Sequence, residues 1–215
     1  MRWGMVIDLK KCLGCYACTL GCKAEHFLPP GMFWNRVIIG EAGKYPAVRK
    51  LILPVLCNHC SEAACVSVCP TGASSRREDG VVLIEAEKCV GCGYCIMACP
   101  YRQRTRYDGK TEYHPGQGFT PWEVLGNDLY PLQEKTAVKC NFCVEKLDEG
   151  LANGLKPGVD REATPACVIA CPTKARVFGD LDDDMCEASH LIREKKGEQL
   201  HADFGTDPSV YYLDY

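Results

Sequence analysis

Sixteen of the seventeen cysteines in this chain fall into four groups of four, at spacings that suit metal chemistry. The first group is Cys12, Cys15, Cys18 and Cys22, and the second is Cys57, Cys60, Cys65 and Cys69. The third is Cys89, Cys92, Cys95 and Cys99, and the fourth is Cys140, Cys143, Cys167 and Cys171. Only Cys186 is left over. The first and third groups share the run C-x2-C-x2-C-x3-C. The second reads C-x2-C-x4-C-x3-C-P, and the fourth is stretched to C-x2-C-x23-C-x3-C-P.

Disulfides, zinc and iron–sulfur clusters compete for such cysteines. Disulfide frameworks belong mostly to short secreted chains, and neighbours two or three residues apart rarely meet disulfide geometry. Zinc sites use pairs of C-x2-C and leave a third cysteine at the next two-residue step unexplained. In the run C-x2-C-x2-C-x3-C, three thiolates wrap one [4Fe–4S] cube and the fourth ligates the other cluster of a pair. A two-residue spacer lets consecutive side chains converge on one cube from a tight loop. After the third ligand a short helix is expected, which turns the next cysteine away. Gly14 and Gly91 suit such loops, because they tolerate positive φ and let amide N–H groups approach cluster sulfurs.

An internal repeat runs through the chain. The segment "ACVSVCPTGAS" (64–74) matches "ACVIACPTKAR" (166–176), and "VIDLKKCLGCYACTLGCK" (6–23) matches "LIEAEKCVGCGYCIMACP" (83–100). The expected fold is therefore α+β, with two ferredoxin-like modules related by the repeat and one inserted in the other. The outer module covers 1–50 and 136–180, and the inserted one 51–105. Residues 106–135 form an insertion, and 181–215 a C-terminal helix near 184–196 followed by a tail. Residues 27–50 read as a loop and a strand hairpin. The 23-residue spacer of the fourth group reads as a helix start followed by a surface loop.

The pairing rule assigns ligands for four [4Fe–4S] clusters. Cys12, Cys15, Cys18 and Cys171 hold the first. Cys22, Cys140, Cys143 and Cys167 hold the second. Cys57, Cys60, Cys65 and Cys99 hold the third, and Cys69, Cys89, Cys92 and Cys95 the fourth. Lys10, Lys11, Lys88 and Lys139 precede first cysteines and read either as cations that favour reduced cubes or as solvated loop charges. His26 and His59, beside cluster cysteines, read as packing or surface groups. Cys186 reads as a free thiol.

Composition agrees with that picture. The hydrophobic fraction of 47% counts the seventeen cysteines, so the aliphatic supply is modest for 215 residues. Something besides an apolar core must hold the fold. A net charge of −3 gives no basic field for nucleic acid. The apolar runs 51–56 and 81–84 are far short of the roughly 20 residues that span a bilayer. The N-terminus shows no apolar signal core and no twin arginine, so no address is expected in the chain itself. The radical-type C-x3-C-x2-C run, the P-loop, G-x-G-x-x-G and H-E-x-x-H are all missing.

The chain resembles the four-cluster electron-transfer subunits of the molybdopterin oxidoreductases, the iron–sulfur subunits of dimethyl sulfoxide, polysulfide or thiosulfate, and arsenate reductases. The resemblance runs from "MVIDLKKCLGC" through "LCNHC", "CPTGA", "CPYR" and "KCNFCVEKL" to "ACVIACPTKARVFGDLDD", and on to "VYYL". In some relatives a tryptophan replaces one cysteine of the third group; here all four are present. The resemblance implies outer-sphere electron transfer with no catalytic residue in this chain. It implies a large catalytic partner carrying molybdenum- or tungsten-pterin, and a quinone, haem or soluble carrier at the far end. The first cluster would face the catalytic cofactor. A membrane anchor, if one serves the complex, would be a separate subunit. Co-export to the periplasm with a signal-bearing partner fits the family, and a cytoplasmic complex fits the sequence equally. A polyferredoxin serving a hydrogenase or other soluble reductase is the alternative. The basic run "YRQRTRYDGK", the aromatic stretch up to residue 135 and the C-terminal tail read equally as interface or as capping of the modules.

Overall fold

The two ends of the chain meet in one sheet. The computed structural model describes residues 1–109 and 111–214; Lys110, the last residue of the basic run, and Tyr215 lie outside the described residues. Strand β1 (Trp3–Asp8) is buried along its whole length, as expected of the apolar run WGMVID inside a sheet. Helix α1 (Ala17–Glu25) follows the first cysteine loop. Then comes a long hairpin of β2 (Asn35–Lys44) and β3 (Ala47–Leu56), within the region read as a hairpin and extending six residues past it. The next stretch holds α2 (Ala64–Ser67), β4 (Ser74–Arg76), β5 (Val82–Ile84) and α3 (Tyr94–Met97). Then follow β6 (Thr105–Tyr107), α4 (Pro121–Leu129), β7 (Thr136–Val138) and α5 (Val144–Ala152). Last are α6 (Ala166–Ile169), β8 (Arg176–Asp180), α7 (Glu187–Glu194), β9 (Glu198–Gln199) and β10 (Val210–Leu213).

The main sheet has the order β8-β1-β10-β9, with β1 antiparallel to β8 and parallel to β10. Three two-stranded pieces, β2–β3, β4–β5 and β6–β7, complete a mixed α and β architecture. The C-terminal segment is thus no peripheral cap. Val210, Tyr212 and Leu213 are fully buried in β10, and the Tyr212 hydroxyl donates to Pro54 O at 2.9 Å.

Two cysteine-bearing helix pairs use the same contact: α1 packs on α6, and α2 on α3. Gly21 is needed for the first pair, because a Cβ there would lie 2.8 Å from Ala170 Cβ. Helix α4 begins with a full capping box, Thr120 receiving the Glu123 amide while Glu123 receives the Thr120 amide. Helix α7 covers β1 and β8 over a small core of Val6, Ala188 and Leu213. Cys186 caps this helix half-buried, against Gly179, where a Cβ would sit 2.2 Å from its Sγ.

The main core joins Met5, Ile7, Leu28, Leu56, Val81, Phe142, Leu147, Phe178, Val210 and Tyr212 to five cysteines, Cys18, Cys22, Cys57, Cys140 and Cys167. The modest aliphatic supply is visible here: thiols occupy places an ordinary domain gives to leucine or valine.

Candidate metal centres

All four C-x2-C loops turn in the same way. The residue just before the second cysteine has positive φ in every group: Gly14 at 68°, His59 at 44°, Gly91 at 66° and Phe142 at 59°. Only two of these are the glycines that the sequence marks. His59 and Phe142 adopt the left-handed conformation despite a strain of roughly 1–2 kcal/mol each. They have the turn in common with Gly14 and Gly91 but not the residue type, so nothing local announces it.

The short helices start before the third cysteine of each group, not after it. Cys18, Cys65, Cys95 and Cys167 each sit second in α1, α2, α3 and α6. In the first and third groups a left-handed residue, Tyr16 or Gly93, breaks the chain into the helix. The fourth cysteine lies one turn on. It is followed by Pro-Thr in the second and fourth groups, where a short turn aims backbone and hydroxyl donors at its sulfur. Ser74 N donates to Cys69 Sγ at 3.4 Å and Ala175 N to Cys171 Sγ at 3.3 Å. The Thr71 and Thr173 hydroxyls stand 3.8 and 3.7 Å from the same two sulfurs. Burial works to raise both thiols, and these donors outweigh it, holding Cys69 and Cys171 below the usual range.

The structure gathers the cysteines into four neighbourhoods. Cys69, Cys89, Cys92 and Cys95 line one cavity, walled by Ala73, Ile84, Val90 and Ile96. Cys12, Cys15, Cys18 and Cys171 line another, walled by Ile7, Val37 and Ala175. The Cys22 thiol is raised far above its ordinary value by burial and then by Cys140, Cys167 and Cys143. The Cys60 thiol is pushed up to about 12 by burial and by Cys57, with Cys65 and Cys99 adding to it. Each neighbourhood draws on two cysteine groups. Neighbouring sets feel one another electrostatically: Cys18 acts on Cys167, and Cys57 on Cys140.

The thiols of Cys22, Cys140, Cys143 and Cys167 resist ionising together, because burial and each neighbouring thiolate oppose the charge in a low dielectric. A metal centre that replaces the protons removes that conflict. The donor set is pure sulfur, which selects iron–sulfur clusters, zinc or copper(I) over harder ions. Among the described residues, no three His, Cys, Asp or Glu side chains close in as they would on a single ion. A tetrahedral zinc, with Zn–S bonds of about 2.3 Å, needs that closer approach. Sulfurs spread round an apolar cavity, with amides aimed at them, fit a larger inorganic core.

Buried cations and histidines complete the surroundings. Lys139 is only 5% exposed, and its Nζ donates to Val82 O and to Cys140 O. It is not a solvated loop charge, whereas Lys10 pairs with Asp214 and Lys88 with Glu85 at the surface. Arg104, within the basic run read equally as interface or capping, is 4% exposed, and Arg176 is 3% exposed. Arg176 Nη1 reaches Cys167 Sγ at 3.8 Å and Nη2 donates to Asn35 Oδ1 at 2.9 Å. Both histidines are packing groups. His26 is held against Trp34 and Tyr130, its Nε2 3.4 Å from Cys143 Sγ. His59 Nδ1 accepts the Val82 amide at 3.0 Å. Burial, with Lys146 beside it, lowers the His26 pKa to about 4.

Comparison with known proteins agrees with this chemistry. Residues 48–118 match the 4Fe-4S dicluster domain family, and residues 9–25 the 4Fe-4S binding domain family. The chain is 38% identical to the arsenate respiratory reductase iron–sulfur subunit of Shewanella sp. (strain ANA-3), covering 99% of this chain and 96% of that one. It is also 38% identical to a selenate reductase subunit of Mesobacillus selenatarsenatis, covering 99% and 72%. It is 36% identical to a sulfite dehydrogenase subunit of Allochromatium vinosum, covering 97% and 81%. Identity at this level over nearly the whole length, together with thiol-lined cavities, means that the chain belongs to the family of 4Fe–4S electron-transfer subunits of the molybdopterin oxidoreductases.

Proposed function

We propose that this electron-transfer subunit carries four [4Fe–4S] clusters in series and links the pterin-bound molybdenum or tungsten of a catalytic partner to a quinone, haem or soluble carrier. The ligand sets are the four neighbourhoods: Cys12, Cys15, Cys18 and Cys171; Cys22, Cys140, Cys143 and Cys167; Cys57, Cys60, Cys65 and Cys99; Cys69, Cys89, Cys92 and Cys95. The observation that carries this reading is that each neighbourhood takes cysteines from two groups, as a two-cluster ferredoxin run requires.

Two modules, one of 1–50 with 136–180 and one of 51–105, are the arrangement we favour. The register supports it: Ile7 pairs with Arg176 across β1 and β8, and Ile84 pairs with Ser74 across β5 and β4. These are matching places in the sequence repeat. Asp8 N donates to Ala175 O and Glu85 N to Ala73 O, both at 2.8 Å, which is again the same bond twice.

When bound, the cubes would supply one-electron redox couples. The chain's own groups do the rest. Sulfur ligands set the sites, and Ile7, Val37, Ile84 and Ile96 supply apolar walls. Amides at Ser74 and Ala175 stabilise negative charge on the ligand sulfurs. The electrostatic influence of Cys18 on Cys167 and of Cys57 on Cys140 supports placing the first, second and third sets next to one another in that order, with the first facing the catalytic side as the family implies. Residues 106–135, with Trp122, Leu125 and Leu129 exposed along α4, serve as a partner interface in this reading. Among the described residues no helix is long and apolar enough to cross a membrane, so quinone chemistry would fall to a separate membrane subunit. We infer co-export to the periplasm with a signal-bearing catalytic partner, which cell fractionation distinguishes from a cytoplasmic complex.

Iron and sulfide analysis of the anaerobic complex tests the cluster count. About sixteen irons per chain are expected, four per cube. Zinc in place of iron, or a colourless preparation, overturns the reading. Identification of the copurified large subunit tests the partner.

A further inference from the structure

Among the described residues two guanidiniums lie buried, and neither pairs with a carboxylate. A buried charge is kept only when something of opposite sign meets it, and arginine cannot escape by losing its proton. Burial works against the charge of Arg176, and its leading acidic neighbours are Cys167, Cys18, Tyr212 and Cys171. It lines the cavity of Cys12, Cys15, Cys18 and Cys171, while Nη1 reaches Cys167 Sγ of the next set. Asn35, itself buried, fixes the plane of the guanidinium: its Oδ1 accepts from Arg176 Nη2 and its Nδ2 donates to Cys18 O at 3.0 Å. Burial likewise opposes the charge of Arg104, whose leading acidic neighbours are Cys65, Cys57 and Cys95. Those three thiols belong to the third and fourth sets. Arg104 Nη1 donates to the Ser74 hydroxyl, and its guanidinium meets the Cys95 thiol, a hydrogen-bond partner that supports its charge. No oxygen acceptor among the described residues meets its buried Nε and Nη2.

Ser74 is the decisive detail. It stands five residues after Cys69, where Arg176 stands five after Cys171, and it occupies the same place in strand register. In one half of the chain that place is an arginine. In the other it is a serine, and an arginine from thirty residues away is hydrogen-bonded to it. The same charge reaches the same spot by two routes.

We propose that each pair of cubes has one permanent positive charge buried between them, Arg176 for the first and second and Arg104 for the third and fourth, and that these two arginines raise the potentials of the cubes they separate. This rests on the four-cluster reading above. A cube with four thiolates gains one negative charge on reduction. A fixed cation in a low dielectric therefore favours the reduced state of both neighbours. It also lowers the cost of holding two negative cores close together. Both arginines are positioning residues, acting through the field they impose.

The test is a redox titration of the intact complex, followed by electron paramagnetic resonance, with iron counted in every sample. Arg104→Gln is expected to move two of the four midpoint potentials downward and leave two in place. Arg176→Gln is expected to move the complementary two. Arg104→Lys, which keeps the charge, is expected to hold the wild-type potentials. The double variant Ser74→Arg with Arg104→Ser returns the charge along the route used in the other half, and is expected to restore them. Unmoved potentials in an iron-replete Arg104→Gln sample overturn the inference. So do both glutamine variants moving the same pair, or a lysine variant as low as the glutamine one. If Arg104→Gln loses iron, a lysine variant that keeps iron and potential still supports a role of charge, and one that loses iron too overturns it. The iron count of the wild-type complex tests the four-cluster reading separately.

Discussion

His59 and Phe142 stack face to face, ring centroids 3.7 Å apart and planes 22° from parallel. Each is the left-handed residue before the second cysteine of its group, one in the second group and one in the fourth. Two strained turns thus lock against each other in the centre of the molecule, and Phe178 meets Phe142 edge-on at 5.3 Å. The contact ties the loop of Cys57 and Cys60 to the loop of Cys140 and Cys143. Truncating the ring, Phe142→Ala, is expected to cost roughly 3–5 kcal/mol. Phe142→Gly should be less damaging than Phe142→Ala, reversing the usual order, because glycine recovers roughly 1–2 kcal/mol of backbone strain. The temperature at which the complex loses its visible cluster absorbance, compared among the three proteins, checks both statements.

Cys99→Ala is expected to injure the centre of Cys57, Cys60 and Cys65 more than that of Cys89, Cys92 and Cys95. Cys99 shares their run in the sequence, yet it bears on Cys60 and Cys65 and is not part of the cavity of Cys69, Cys89, Cys92 and Cys95. Electron paramagnetic resonance of the variant should show one altered signal. Loss of the Cys89–Cys95 signal alone would contradict the shared-run arrangement.

The features legible in the sequence were those carried by local spacing. The C-x2-C runs marked the cofactor class and the family, and residues 27–50 read as a loop and hairpin, which the structure carries on to Leu56. The features that were not legible depend on contacts between distant residues. Nothing near Arg104 in the basic run says that its side chain turns inward to Ser74. Asn35 and Arg176 meet across 141 positions. The tail at residues 210–213 reads as tyrosine-rich, but only tertiary pairing makes it the strand beside β1. Lys139 resembles Lys88 in its place before a cysteine, and burial alone separates them.

His26 is expected to tune a single centre. Its ring is neutral at pH 7, since burial holds its pKa at about 4. With an ionised Cys143 as acceptor, the ring proton belongs on Nε2, 3.4 Å from the sulfur. Donation to a ligand sulfur favours the more negative, reduced state. His26→Phe should therefore lower one midpoint potential, by an amount on the order of tens of millivolts at 59 mV per tenfold for one electron. The other three should hold. Redox titration of the complex reads the result, and a rise in potential would contradict the assigned hydrogen bond.

Gly91 and Gly93 flank Cys92 in one loop, both with positive φ, at 66° and 79°. Their surroundings differ. A Cβ on Gly91 would meet Lys135 O at 2.0 Å, a backbone atom that cannot swing aside, whereas a Cβ on Gly93 meets nothing within 4 Å. Gly93→Ala should then cost only the backbone term, roughly 1–2 kcal/mol. Gly91→Ala adds a collision that pushes the loop off the segment leading into β7, and the ligand most directly displaced is Cys92. The expected outcome is a Gly93→Ala protein with full iron content and modestly lowered thermal stability. Gly91→Ala should lose iron first from the set of Cys69, Cys89, Cys92 and Cys95. Iron content and thermal loss of cluster absorbance, measured side by side, separate the two. Equal behaviour would mean that φ alone governs this loop and that the contact with residue 135 is dispensable.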